Sequence, residues 1–313
     1  MEWTVSTVEH GLRLDKFLAE SGRLGSRRRA SVAIDRGKVF VNAREVGGTV
    51  GGDAGATRLA AGDLVRVWMD RPGSARGRAL RRSSDLHIVY EDDALLVIDK
   101  PAGLLAVPLE RRAEAPSVFD QVAAYLYPHG KRRPLVVHRI DRDTSGLVVF
   151  AKQTAAQDRL KGQFKQHSVE RIYLAVVYGH PDPPGGTWRD RLVWDRKALI
   201  QKETHPRDAR GRDAVSHYQV IEPFRAASLV EVRLETGKRN QIRIQARLRG
   251  HTLVGERRYV YGPEEIRSIP FARQALHAYR LAFEHPVSGQ PLRVEAEIPA
   301  DLADLIARLR RSA

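Results

Sequence analysis

The amino-acid sequence predicts an α+β protein of two parts, a small N-terminal domain and a larger one built on a largely antiparallel mixed sheet flanked by helices. Three observations carry this. From about Leu86 onward short apolar runs recur ("HIVYEDDALLVIDKP", "PLVVHRI", "GLVVFAK", "IYLAVVYG", "LVEVRLETG", "YRLAFEHP") with few helical patterns between them, unlike the strict strand–helix alternation of a dinucleotide fold. The chain has 313 residues, too many for one core of ordinary size. Between the parts, "DRPGSARGRALRRSS" at 70–84 combines five arginines with Pro, Gly and Ser and has no apolar periodicity, so an exposed linker is expected over 71–85, separating domains at 1–70 and 86–313.

In chain order, Leu12, Leu14, Phe17 and Leu18 form a helical apolar stripe, and a second short helix is expected from about Arg27 to Asp35 with Gly37 as its stop. Lys38–Val41 alternates like a strand, Asn42-Ala43 reads as a turn, and Asp63–Val67 as another strand. The intervening "GGTVGGDAGATRLAAG" is a loop by composition. In the larger part "APSVFDQVAAYL", "TAAQDRLKGQFKQ" and "ADLADLIARLRR" read as helices, and no glycine-rich phosphate loop is present.

Apolar residues make up 42% and charged residues 29% of the chain, as in a globular protein with a core to bury. Lys and Arg total 53 against 38 acids, a formal charge of +15, which favours nucleic acid or an anionic membrane as partner. With no apolar run of membrane-span length and no signal-peptide order at Met1–Thr4, the expected location is the cytoplasm. The absence of cysteine excludes disulfides, thiolate nucleophiles and cysteine-ligated zinc.

The segment "PLVVHRIDRDTSGLVVFAK", 134–152, sets a histidine, two arginines and two aspartates between apolar runs. A polar loop fixed at both ends by buried strands can aim its side chains. Asp143-Thr144-Ser145-Gly146 supplies turn chemistry, leaving His138, Arg139, Asp141 and Arg142 for other work. Three readings stand. A metal site through His138, Asp141 and Asp143 has too few carboxylates or imidazoles for a hard metal or zinc. A structural turn would have Asp141 capping backbone and the arginines solvated. An aspartate nucleophile or general base kept ionised by a neighbouring arginine accounts for the cations around the acid.

"HRIDRDTSGLVVFAK" resembles the signature of the RluA family of RNA pseudouridine synthases. Further similar motifs follow in order: "DKPAGLLAVP" at 99–108, "ERIYLAVVYG" at 170–179, "LETGKRNQIRIQARLRGHTLVGERRYVYG" at 234–262 and "RQALHAYRLAFEHP" at 273–286. Likewise, two short basic helices, strand, turn and distant strand over about 11–69 resemble the RNA-binding domain named after the fourth small-subunit ribosomal protein, implying RNA contacts by Arg13, Lys16, Arg27, Arg28, Arg29 and Lys38.

The resemblance implies isomerisation of uridine in RNA to pseudouridine, without metal, organic cofactor or ATP. It makes Asp141 the catalytic carboxylate, Arg243 the cation that keeps it charged and oriented, and Tyr173 the residue against the target base. Arg139 would fill the space left by the flipped uridine, and His138, Thr144 and Gln241 complete the expected substrate contacts, His138 more by positioning the loop than by donating a proton. Isoleucine replaces the usual leucine at Ile140, Arg171 stands where the family has lysine, and Asn240 where it has histidine. The expected partner is RNA, ribosomal RNA before tRNA, with no membrane and a monomeric enzyme. The rivals are a catalytically silent RNA-binding protein that keeps the fold and a hydrolase that releases free uracil.

Overall fold

The computed structural model describes residues 1–35, 38–46, 54–68, 86–108, 116–127, 133–195, 198, 200–264 and 267–312. The chain forms two compact units, Met1–Arg82 and Ser83–Ala313. The expected linker at 71–85 and the helix stop at Gly37 lie outside the described residues.

In the first unit, β1 (Glu2–Thr4) precedes helices α1 (Leu14–Ala19) and α2 (Arg27–Asp35), then β2 (Val39–Val41), β3 (Arg44–Val46) and β4 (Leu64–Val67). The strands pair antiparallel in the order β1-β4-β2-β3. Leu14, Phe17 and Leu18 of α1 and Ala30, Ala33 and Ile34 of α2 share one core with Val39, Val65 and Val67. That packing stabilises helices too short to persist alone. Asn42 and Ala43, at φ 48° and 64°, make the left-handed turn that matches a hairpin's twist. Asn42 is held there by donating to Asp63 Oδ1 (2.7 Å) and accepting from the Leu64 N–H (2.9 Å); Ala43 occupies the left-handed region against its Cβ.

The second unit runs β5 (His87–Glu91), β6 (Leu95–Lys100), α3 (Val118–Leu126), β7 (Leu135–Val136), β8 (Ser145–Ala151), α4 (Thr154–Lys165), β9 (Glu170–Tyr178), β10 (Gly185–Asp195), β11 (Ile200–Glu203), β12 (Arg212–Pro223), β13 (Ala227–Leu234), α5 (Gln241–Leu248), β14 (Leu276–Glu284), β15 (Pro291–Glu295) and α6 (Ala300–Arg311). Its sheet has the order β11-β10-β12-β13-β9-β14-β8-β6-β5, with β15 beside β14 and β7 beside β8. All these pairings are antiparallel except β8 with β14, which run parallel at Ser145–His277 and Gly146–Ala278.

The central strands are apolar throughout because both faces are covered. On one face Val148 and Phe150 of β8 and Tyr173, Ala175 and Val177 of β9 pack with Val118 and Val122 of α3 and Ile242 and Ala246 of α5. On the other, Leu147 and Val149 meet Ala156 and Leu160 of α4, while Leu174 and Val176 meet Leu302, Leu305 and Ile306 of α6. The first of these faces carries the cleft described below. No helix among the described residues is long and apolar enough to cross a membrane.

"NQIRIQARL" alternates like a strand but folds as α5, because its inward face includes two glutamines buried by hydrogen bonds. Gln245 accepts from Ser216 Oγ (2.6 Å) and donates to the carbonyls of Trp188 (3.1 Å) and Ala214 (3.0 Å) and to Asp190 Oδ2 (2.8 Å).

At Gly146, φ 107°, a Cβ would stand 2.2 Å from the Ala278 carbonyl oxygen, a backbone atom that cannot move aside. Gly146→Ala is therefore expected to cost more than about 3 kcal/mol in urea denaturation. Ala43→Gly is expected to stabilise the first unit by about 0.5–1 kcal/mol, read from its thermal transition.

Candidate active site

The polar loop 137–144 joins β7 to β8, and its apolar residues Val137 and Ile140 are buried, so the polar ones between and beyond them are presented from a fixed frame. The Thr144 N–H donates to the Asp141 carbonyl (3.2 Å), closing a turn. The next carbonyl, that of Arg142, accepts from the Gly103 N–H (2.9 Å) and from Lys100 Nζ (2.8 Å). Lys100 is fully buried and gives its other two hydrogen bonds to the carbonyls of Pro101 (2.7 Å) and Leu104 (2.9 Å). Burial lowers the Lys100 pKa to about 7, against the raising influence of Asp143 and Asp141. From β14's side, Arg273 Nη1 donates to the Asp143 carbonyl (3.2 Å) while its other nitrogens clasp Asp301 (2.7 and 2.9 Å).

His138 turns the other way. Its Nε2 accepts from the Val149 N–H (3.1 Å), its ring stacks on Phe164 at 4.7 Å, and it is not among the residues lining the cleft. Burial, then the charge of Arg171, lowers its pKa to about 3. In the structure His138 is thus a tether between the loop and β8 and does not line the cleft, and the occupied Nε2 lone pair leaves that nitrogen no metal-binding role.

Helix α5 brings Arg243 to the loop. Its N-cap, Asn240, sits at φ 55°, a conformation that asparagine accepts more readily than most residues. Arg243 Nη1 donates to Asp141 Oδ2 and to Asn240 Oδ1, both at 3.1 Å, while Nε and Nη2 fork onto Glu256 at 2.6 and 2.8 Å. Glu256 Oε1 also accepts the N–H groups of Arg257 (3.0 Å), Arg258 (2.7 Å) and Tyr259 (3.2 Å). The Tyr259 hydroxyl in turn accepts from Asn240 Nδ2 (2.9 Å). Side-chain exposure falls along this chain from 26% at Asp141 to 12% at Arg243 and 1% at Glu256. Burial opposes charge on Arg243 and Glu256, but their mutual hydrogen bonds and attraction prevail, raising the arginine's pKa and lowering the glutamate's.

Tyr173 of β9 lies on the same sheet face and lines the same cleft, about 230 Å3, with Arg139, Asp141, Thr144, Lys238, Arg239 and Arg243. Its hydroxyl makes no hydrogen bond with a described residue, and burial pushes its pKa up to about 12. The expected trio of Asp141, Tyr173 and Arg243 is brought together. Arg139 is exposed at the cleft. Thr144 is buried at its wall and accepts weakly from Gln274 Nε2 (3.3 Å). Gln241 also borders the cleft, but its amide is saturated: Oε1 accepts from Thr236 Oγ1 (2.8 Å) and the Lys238 N–H (2.9 Å), and Nε2 donates to the Val215 carbonyl (3.0 Å) and Ser216 Oγ (2.9 Å). Those bonds anchor the start of α5 and leave the amide no spare hydrogen-bonding group toward the cleft.

Lys100 and Glu256 are the site residues that the sequence patterns leave unassigned. Each lies inside a quoted motif, yet only the fold places Glu256 against an arginine thirteen residues earlier. In the first unit Lys16, Arg27, Arg28 and Arg29 are exposed, Lys38 is half-buried, and Arg13 is clasped by Asp15 through two bonds of 3.0 Å.

The family model described as RNA pseudouridylate synthase matches residues 94–248, and that described as S4 domain matches 12–47. The chain is 41% identical over 240 residues to ribosomal large subunit pseudouridine synthase D of Zymomonas mobilis, covering 72% of this chain and 73% of the relative. It is 36% identical over 313 residues to the uncharacterized RNA pseudouridine synthase YlyB of Bacillus subtilis, covering 99% and 98%. Among solved structures, Human RNA Pseudouridylate Synthase Domain Containing 4 superposes with a TM-score of 0.58 at 21% identity, over 72% of this chain and 93% of that one, a likeness of fold.

Removing the acid from the buried pair strands Arg243 and three backbone donors, so Glu256→Ala is expected to lose about 3–5 kcal/mol of stability by chemical denaturation. His138 and His277, with pKa values lowered by burial from 6.5 to about 3 and about 4, bind protons more readily unfolded than folded. The stability they contribute is full above pH 6.5 and is lost as pH falls toward those folded values, by up to about 1.4 kcal/mol per pH unit for each. Denaturation midpoints between pH 7.5 and 5 check this, and a flat profile would contradict it.

Proposed function

The chain belongs to the RNA pseudouridylate synthase family and is an RNA pseudouridine synthase, and from that premise we propose that Asp141 is its catalytic carboxylate, acting on a uridine of large-subunit ribosomal RNA. The observation that carries the assignment is the Asp141–Arg243–Glu256 chain: a partly exposed carboxylate held by an arginine whose own position is locked by a buried acid. The RNA assignment draws on relatives named as ribosomal large subunit pseudouridine synthase D.

In the isomerisation the N1–C1′ bond of uridine breaks, the base turns, a C5–C1′ bond forms, C5 loses its hydrogen and N1 gains one. Asp141 serves either by adding to C1′ or by taking the C2′ proton, and both routes start from its ionised form. Arg243 supplies a fixed positive charge beside it that needs no reorganisation during the reaction. The target must leave the base stack to reach Asp141, and Arg139, exposed and without a hydrogen-bond or ion-pair partner among the described residues, takes the space it vacates.

Tyr173 presents its ring to the detached base. With a pKa near 12 its phenol is neutral at physiological pH, so it meets the base as a hydroxyl and contributes position and a hydrogen bond more than resting basicity. In the first unit Arg27, Arg28 and Arg29 stand in the first turn of α2, which carries no acid of its own. The helix dipole is positive there as well, and phosphates of RNA relieve the combined charge.

Unmodified large-subunit rRNA labelled with tritium at C5 of uridine tests the reaction. Wild type is expected to release tritium without free uracil, Asp141→Ala to bind RNA but release none, and Tyr173→Phe to lower kcat by about 10²-fold. Release by Asp141→Ala would remove the aspartate from the mechanism, and free uracil would indicate hydrolysis. Replacing Arg27, Arg28 and Arg29 together by Ala is expected to weaken binding and flatten the slope of log affinity against log salt by up to about 2.

A further inference from the structure

Arg139, Lys238 and Arg239 line the cleft beside Arg243, yet their circumstances differ. The guanidinium of Arg243 is engaged by Asp141, Asn240 and Glu256, whereas no acid among the described residues pairs with Arg139 or Arg239. Arg239 is exposed, and its guanidinium carbon lies 4.5 Å from the centre of the half-buried Trp194 ring on β10. Partial desolvation, and then the like charge of Arg239, lowers the pKa of Arg139 against the raising influence of Asp141. The two cations therefore act on each other at the cleft; the Asp141 charge offsets this in part for Arg139, and no acid among the described residues forms an ion pair with Arg239.

We propose that Arg239, laid on the indole of Trp194, is a stacking platform for an unpaired nucleobase next to the flipped uridine. A guanidinium is flat. With one face against an indole it loses little further freedom on binding, and its other face can carry a base while its edge donors reach phosphate. The platform lies in the same cleft as Asp141 and one residue before the α5 cap, so a base seated there belongs to a nucleotide adjoining the target. Charge alone would serve a phosphate equally well from a lysine; the indole beneath Arg239 is what points to a base.

The inference rests on RNA being the substrate of this cleft, and it is tested on the full chain with the same labelled rRNA transcript, read both as equilibrium binding and as tritium release. Arg239→Ala is expected to raise Kd and KM about tenfold, the size of one modest stacking contact, with the loss carried in KM more than in kcat. Arg239→Lys, which keeps the charge and loses the plane, is expected to lose nearly as much. Arg239 is exposed, so neither variant threatens folding. Trp194→Leu is expected to reproduce part of the loss, with its thermal transition measured alongside. Unchanged Kd and KM in Arg239→Ala, or full recovery in Arg239→Lys, would overturn the platform. A wild type that binds but releases no tritium would instead overturn the assignment of substrate, and the binding comparison of the two Arg239 variants would still decide the platform.

Discussion

The site depends on the ion pair between Arg243 and Glu256. Two charges taken this far from water cost several kcal/mol each in lost hydration, and their attraction offsets that only when the remaining donors and acceptors are filled. Here they are: the carboxylate holds a two-pronged arginine and three backbone N–H groups, and the arginine's remaining prong is shared by Asp141 and Asn240. The pair thus works less as a source of net stability than as a clamp of defined direction. Arg243 cannot swing toward solvent without abandoning Glu256, so the charge facing Asp141 stays where it is.

A clamp on one side is useful only if the aspartate is held on the other, and that comes from the backbone. The loop carrying Asp141 is gripped through its carbonyls, by Lys100 and Gly103 at Arg142 and by Arg273 at Asp143. The Asp141 carboxylate is thereby spared the task of holding the loop and is left for Arg243. The parallel contact of β8 with β14 brings Arg273 within reach, and Gly146 lets the two backbones meet so closely. His138 adds a third tie, to β8 itself. The two sides belong to distant parts of the sequence, and they converge because α5 and the loop share one face of the sheet.

This division explains what could be read from the linear chain. Buried strands such as β8 and β9 show themselves through unbroken apolar runs, and the loop that carries Asp141 shows itself as the polar interruption between two of them. Strands β10 to β12 at the sheet's end do not: in "TWRDRLVWD" the charged Asp190 and Arg191 sit at half-buried positions because Arg249 and Asp213 pair with them. Helix α5 is hidden for a related reason, since Gln241 and Gln245 occupy buried positions that a hydrophobic pattern assigns to leucine. Asp141 and Arg243 stand in motifs that single them out, whereas nothing singles out Glu256, because a buried carboxylate is written like any surface acid. The partners of His138 and Gln241 are hidden for the same kind of reason: a sequence names a hydrogen-bonding residue without naming its partner.

The positive charge of the chain sorts along the same line. In the second unit many arginines have an internal acid, as Arg191 has Asp213, Arg249 has Asp190, Arg273 has Asp301 and Arg280 has Glu295. Those pairs hold the scaffold and add nothing to the excess of +15. Arg139 and Arg239, without such ion pairs among the described residues, sit at the cleft, and Arg27, Arg28 and Arg29 stand exposed in the first turn of α2. Net charge by itself says only that a polyanion is favoured. Removing the cations that carboxylates already claim leaves a smaller set whose placement matches the two tasks of the enzyme, holding an RNA and working on one nucleotide of it.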